Sequence, residues 1–176
     1  MADCNVDNFR QFATRPDIHT KFYQWNRSTE WSATDSTVIG WNSTPDTSPT
    51  WIVNPCPIGW RLPTQEEFEM LNSYGSSWAD VGARGNNVAG RFYGPNHASC
   101  SLPDNMSGCL FFPALGYRNV INGELLFQGV DGHYRSCTEE NNTYVFRLYF
   151  NNMSSYPSFV INKGSGIPVR CVKEKE

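Results

Sequence analysis

One stretch of this chain carries unmistakable helix-start chemistry, and its isolation constrains the fold more than any other feature. In Arg61-Leu62-Pro63-Thr64-Gln65-Glu66-Glu67-Phe68, the Thr64 hydroxyl can cap the first free amides of a helix. Glu67, three residues on, can reach back to the Thr64 amide and complete a capping box. Phe68 and Leu71 then share one face, and Gly75 is placed to end the helix. The pattern predicts a helix over 64–74, preceded by a short strand at Gly59-Trp60-Arg61-Leu62. Helices do not alternate with strands elsewhere, which excludes a doubly wound parallel sheet. The expected class is α+β with much irregular loop, in one domain over 1–176.

The remaining signals are strands and turns. The first 55 residues, rich in Asn, Asp, Ser and Thr with aromatic islands around Tyr23, Trp31, Trp41 and Trp51, suit short strands between long turns. Thr44–Pro49 marks an exposed loop, after which Trp51 and Ile52 resume a buried pattern. Gly82–Gly108 is Gly-, Asn- and Ser-rich. Leu110–Leu115 is an apolar strand candidate, and Asn122-Gly123 is a turn ahead of Leu125–Phe127. Toward the C-terminus, Tyr144, Phe146, Leu148 and Phe150 alternate with Val145, Arg147 and Tyr149. A period of two puts the first set inside and Arg147 and Tyr149 outside. Further strands are expected at Phe159–Ile161 and Ile167–Val172.

Charge excludes some functions. Seventeen Asn against four Lys, a net charge of −3 and a pI near 5.6 leave no basic stripe, so no nucleic-acid partner is expected. No apolar run approaches the roughly 20 residues of a membrane span, so no membrane insertion is expected either. The six cysteines form no CxxC pair and no Cys/His cluster at zinc spacing, which points to disulfides and an oxidising compartment. Cys100 and Cys109 flank a polar excursion that a local disulfide would staple. No apolar segment of the secretory type follows Met1, so the expected location, extracellular, cell-surface or on a phage virion, implies a trimmed start or another export route.

Several ordered motifs resemble the Fibrobacter succinogenes major paralogous domain: Cys4-Asn5-Val6, Phe22-Tyr23-Gln24-Trp25-Asn26, Asn54-Pro55-Cys56-Pro57-Ile58-Gly59-Trp60-Arg61-Leu62-Pro63-Thr64, Phe112-Pro113-Ala114-Leu115-Gly116-Tyr117-Arg118 and Pro168-Val169-Arg170-Cys171-Val172. The resemblance spans nearly the whole chain. It implies a fold similar to C-type lectins and formylglycine-generating enzymes, with few helices, a small twisted antiparallel sheet, long loops and a loop-rich ligand face, in secreted or surface-anchored proteins of Bacteroidales and their phages. It also implies a Cys56–Cys171 disulfide, which would stabilise by about 4–5 kcal/mol on the chain-entropy account. Cys4 and Cys137 are left to pair with each other or to stay free. Where the family usually reads Gly-Tyr-Tyr-Trp-Ser-Ser-Thr, this chain has Gly132-His133-Tyr134-Arg135-Ser136-Cys137-Thr138. The Asn-, Ser- and Tyr-dense tract from Asn141 to Lys163 resembles variable proteins diversified by retroelements.

The expected site is therefore a ligand-binding face within 133–163, made by His133, Arg135, Glu140, Asn142, Tyr144, Arg147, Tyr149, Asn151, Tyr156 and Asn162. Tyr offers contact area at low entropic cost and Asn adaptable hydrogen bonds. The competing account is an Asn-rich loop surface that stabilises its own turns. Tyr144 can equally be core by its parity. Arg135 is expected as an ordinary surface residue; in a buried Trp's place it would need a partner such as Glu139 or Glu140. The scattered His19, His97 and His133 give no metal spacing, and no cofactor is expected. Asp131, Glu139, Glu140, Asn141 and Asn142 are the groups that calcium could use, although the calcium-lectin signatures Glu-Pro-Asn and Trp-Asn-Asp are absent. Glu66 with Glu67 and Glu139 with Glu140 are the only paired carboxylates; Glu67 is better used as a cap, and neighbours in an extended segment point apart. The chain is thus expected to be no enzyme but a module that recognises a cell-surface protein or glycan. The alternatives are a structural tip subunit of a pilus or phage tail, and a formylglycine-generating-type oxidase using Cys137.

Overall fold

The computed structural model describes residues 1–175. The capping box forms as expected: α1 spans Gln65–Ser73, Thr64 accepts from the Glu67 amide, and Glu67 accepts from the Thr64 amide at 2.9 Å. Arg61, six residues before Glu67, makes a two-pronged ion pair with the same carboxylate at 2.7 and 2.8 Å. Gly75 follows the helix at φ +88°, where a side chain would be strained, so the helix stops there.

Antiparallel pairing organises the rest, in four small sheets among the described residues where a single sheet was expected. β1 (Trp60–Arg61) pairs with β10 (Val172–Lys173). Beside this junction Cys56 and Cys171 form a disulfide across 115 residues, with Cα atoms 6.0 Å apart. Cys100 and Cys109 form the second disulfide, whereas Cys4 and Cys137 are free thiols. β2 (Ser76–Ala79), β3 (Gly90–Tyr93) and β4 (Leu110–Pro113) make one three-stranded sheet. β5 (Tyr117–Arg118) and β6 (Leu125–Leu126) make a hairpin through the Asn122-Gly123 turn. β7 (Gly132–Glu139), β8 (Tyr144–Phe150) and β9 (Ser155–Asn162) make the second three-stranded sheet. The first 55 residues contribute only isolated bridges, such as Phe22 with Trp31 and Tyr23 with Ile167. The closing strand is displaced: Ile167 forms a lone bridge, and the ladder begins only at Val172.

The β7–β8–β9 sheet is covered on both faces. On one face Tyr134, Leu148 and Phe150 pack with Phe68 of α1 and with Tyr93 and Phe112 of the neighbouring sheet. Gly132 belongs here because a Cβ would fall 2.0 Å from the Phe150 ring directly opposite it. On the other face Val145 and Ile161 pack against Trp25 and Ile167. Alternation therefore divided β8 between two faces correctly, but the face assigned to solvent is partly roofed by loops from the N-terminal third. Val145 is fully buried and Arg147 only 8% exposed, contrary to an outward Arg147. Tyr144, placed inside by parity, is exposed at the hairpin end of β8, and Phe146 is only half-buried. Ile52, read as buried, is exposed too.

Candidate functional site

Beyond the roof, the same sheet face opens into a cavity of about 360 Å³. Its floor is β7 and β8, through His133, Arg147 and Tyr149. One wall is the β5–β6 hairpin, through Tyr117, Asn119 and Phe127, and the other is β9, through Phe159 and Ile161. A bulge shapes the β9 wall. Arg147 pairs with Phe159 and Tyr149 with Tyr156, so two steps on β8 match three on β9. Pro157 lies inside this irregularity, on an edge strand where its missing N–H breaks no ladder bond. The extra residue turns both Tyr156 and Phe159 onto the cavity side, where Tyr149 stacks on Tyr156 at 5.9 Å and lies 5.3 Å from Phe159.

The hairpin wall is also shaped by backbone. Phe127 adopts φ +58°, unusual for a bulky side chain, and its carbonyl accepts from the Val130 and Asp131 amides. Its half-exposed ring stacks on Tyr117, and Tyr117 meets the His133 ring edge-on at 4.9 Å. Aromatic rings therefore run from Phe127 through Tyr117, His133 and Tyr149 to the β9 wall.

Arg147 lies beneath these rings, with its guanidinium 5.4 Å from the Tyr149 centroid and 5.5 Å from that of Phe159. Its Nη1 donates to His133 Nδ1 at 2.6 Å. A guanidinium only donates, so Nδ1 is the acceptor and the imidazole proton sits on Nε2. Burial, reinforced by the Arg147 charge, holds the His133 pKa well below the usual imidazole range, so the ring is neutral. Its buried Nε2 finds no hydrogen-bond partner and stands 4.0 Å from the Asp131 carboxylate. Burial raises the Asp131 pKa, against the opposing pull of Arg147 and a hydrogen bond with Tyr149. Arg147 makes no ion pair among the described residues, and its buried Nε is unbonded. Burial pushes its pKa down to about 10.

Arg135 is the clearest correction. It is fully buried directly opposite Arg147 in the β7–β8 pairing, where a surface residue was expected. Neither proposed carboxylate reaches it: Glu139 pairs with buried Lys163 at 2.7 Å, and Glu140 is exposed. Arg135 instead donates to the Ser165 carbonyl at 2.5 Å and lies 5.6 Å from the Trp51 ring, leaving Nε and Nη1 unbonded. Burial, then the Arg147 charge, pushes its pKa down to about 9.

Of the other expected residues, Tyr156 stands beside the cavity through its stack on Tyr149. Asn151 supports it, donating to the Tyr149 hydroxyl at 3.1 Å while its own Oδ1 closes the β8–β9 turn. Asn162 accepts from the Gly164 amide and serves a turn. Glu140, Asn142 and Tyr144 are exposed around the β7–β8 hairpin, and none lines the cavity. The groups considered for calcium do not converge. Asp131 and Glu139 lie at opposite ends of β7, and no cluster of three or more His, Cys, Asp or Glu able to hold a metal occurs among the described residues. Tyr117, Asn119, Phe127 and Phe159 were missed as site residues. The usable signal for Phe159 was its spacing from Tyr156 across Pro157; nothing local marked the hairpin residues.

No helix among the described residues is long and apolar enough to cross a membrane, and the two disulfides suit an oxidising compartment. Comparison of the chain with protein-family models, with curated proteins and with solved structures found no match.

Proposed function

We propose that this chain is a C-type-lectin-like binding module of the Fibrobacter succinogenes major paralogous type, without catalytic activity, that works outside the cell or on a phage particle in adhesion or receptor recognition. The observation that carries this reading is the aromatic-walled cavity on β7, β8 and β9, with Arg147 at its floor. Such concave, largely apolar sites with a few fixed polar groups are where proteins hold ligands. The frame suits the role: a disulfide across 115 residues and a capped helix hold the sheet, while the exposed side chains of the tract from Asn141 to Lys163 can vary without touching the core. Adenine-directed retroelement diversification of that tract is part of the proposal. A near-copy of its coding segment beside a reverse transcriptase, differing at adenines, is the expected genomic observation.

The binding test is a screen of surface glycans and cell-surface proteins with wild-type protein and the Tyr149→Ala and Phe159→Ala variants. Both variants should retain a cooperative thermal transition and lose the captured ligand. Binding that survives both substitutions would refute the cavity as the site.

A further inference from the structure

We propose that the cavity recognises a single carboxylate borne on a sugar-sized ring, as in a hexuronic or sialic acid, with Arg147 as the carboxylate-binding residue. This rests on the cavity being the ligand site. The primary observation is the state of Arg147: nearly buried, bonded through one N–H to a neutral imidazole, with no ion pair and its Nε unbonded. A buried cation without a partner is costly, whereas a planar guanidinium fits a carboxylate with two parallel bonds. A second unpartnered donor, His133 Nε2, lies in the same floor on a side chain only 2% exposed.

Charge sets the valence of the ligand. Arg147 and Arg135 each contribute one positive charge, Asp131 one negative charge and neutral His133 none, so the neighbourhood carries a net charge of about +1. A monoanion balances it; a phosphate dianion would overshoot and double the repulsion from Asp131.

Shape and polarity point to the ring. About 360 Å³ lies near the small end of ligand cavities. The Tyr149 and Phe159 faces suit the C–H face of a pyranose. At the rim, Asn119 uses its Oδ1 for the Ile121 amide, and its side-chain NH₂ remains for a hydroxyl.

The test titrates the whole chain with D-glucuronate, D-galacturonate and N-acetylneuraminate, with glucose, galactose and glucose-6-phosphate as controls, following the His133 ring resonance by NMR. At least one acidic sugar should move that resonance and bind about 10- to 100-fold more tightly than its neutral counterpart, the worth of one charge-assisted pair. Arg147→Met should erase that preference while melting close to wild type, because it leaves behind a single orphaned acceptor, His133 Nδ1, and removes a buried charge that had no ion pair. Neutral sugars binding as well as acids, with loss on Tyr149→Ala, would overturn the carboxylate assignment and leave the binding reading standing. A preference for the phosphate would overturn the charge argument. An Arg147→Met protein that melts many degrees lower, with the acid preference intact, would make the guanidinium structural. If no acidic sugar moves the His133 resonance, the assignment fails, and an empty glycan and protein screen would then take the binding reading with it.

Discussion

Two pairs of buried arginines in this molecule have opposite fates. Arg118 and Arg170 are fully buried, and their guanidinium groups are used up by backbone carbonyls and, for Arg170, one side-chain amide. Arg170 bonds the Ala2, Asp3 and Phe111 carbonyls and the Asn5 side chain; Arg118 bonds the Ser32, Asp35 and Gly123 carbonyls. Each ties irregular N-terminal segments to the sheets, so a guanidinium does there what a ladder does elsewhere. Arg135 and Arg147 are buried as well, yet each makes one hydrogen bond and leaves donors idle. The lesson is that burial alone does not identify a structural arginine; the count of satisfied donors does.

The largest effect that could break this contrast is Arg170→Met. It orphans several buried acceptors at once, and we expect a loss of about 3–5 kcal/mol in urea unfolding. A loss under about 1 kcal/mol would erase the distinction. Arg147→Met should cost far less, staying within about 1 kcal/mol of wild type, because removing a buried charge without an ion pair offsets the single acceptor, His133 Nδ1, that it orphans. Phe127→Gly should stay within about 1 kcal/mol of wild type, since relief of the positive φ offsets glycine's greater freedom when unfolded. It should nevertheless weaken any ligand of the cavity.

The smallest effect concerns Arg61, a third kind of arginine, part-exposed and paired with a carboxylate. The hydrogen bond from Arg61 lowers the Glu67 pKa below its ordinary 4.5. A depressed carboxylate contributes stability that is complete above the unfolded pKa and is lost as pH falls through the folded one. Glu67→Gln keeps the capping geometry and removes the titration. It should cost about 0.5 kcal/mol at neutral pH and flatten that part of the acid-range decline, measured as urea midpoints below pH 5.

These contrasts show where the sequence was legible. Thr64 and Glu67 act on each other across one turn and Gly75 acts on the residues just before it, so α1 could be read almost to the residue. The division of β8 into two faces was also readable, because a strand's period is a local property. What alternation could not supply was the identity of the layer on each side. Arg147 and Tyr149 were assigned to water because polar or amphipathic residues usually face it. Trp25 and Ile167 occupy part of that side instead; Trp25 lies far from β8 in the chain, and Ile167 lies beyond the next strand. The same holds for Arg135, whose partners Trp51 and Ser165 come from opposite directions along the sequence.

The sequence by itself determined the α+β class, the capped helix, the short disulfide flanking a polar loop and the region from which the site's floor is drawn. Only the tertiary structure decided which of those residues share a cavity, because the β5–β6 hairpin and the β9 bulge bring Tyr117, Phe127 and Phe159 to Arg147 through pairings and loop placements that no local pattern encodes. Local hydrogen bonding and side-chain period act over a few residues, whereas burial is settled by whatever distant segment arrives to cover a face.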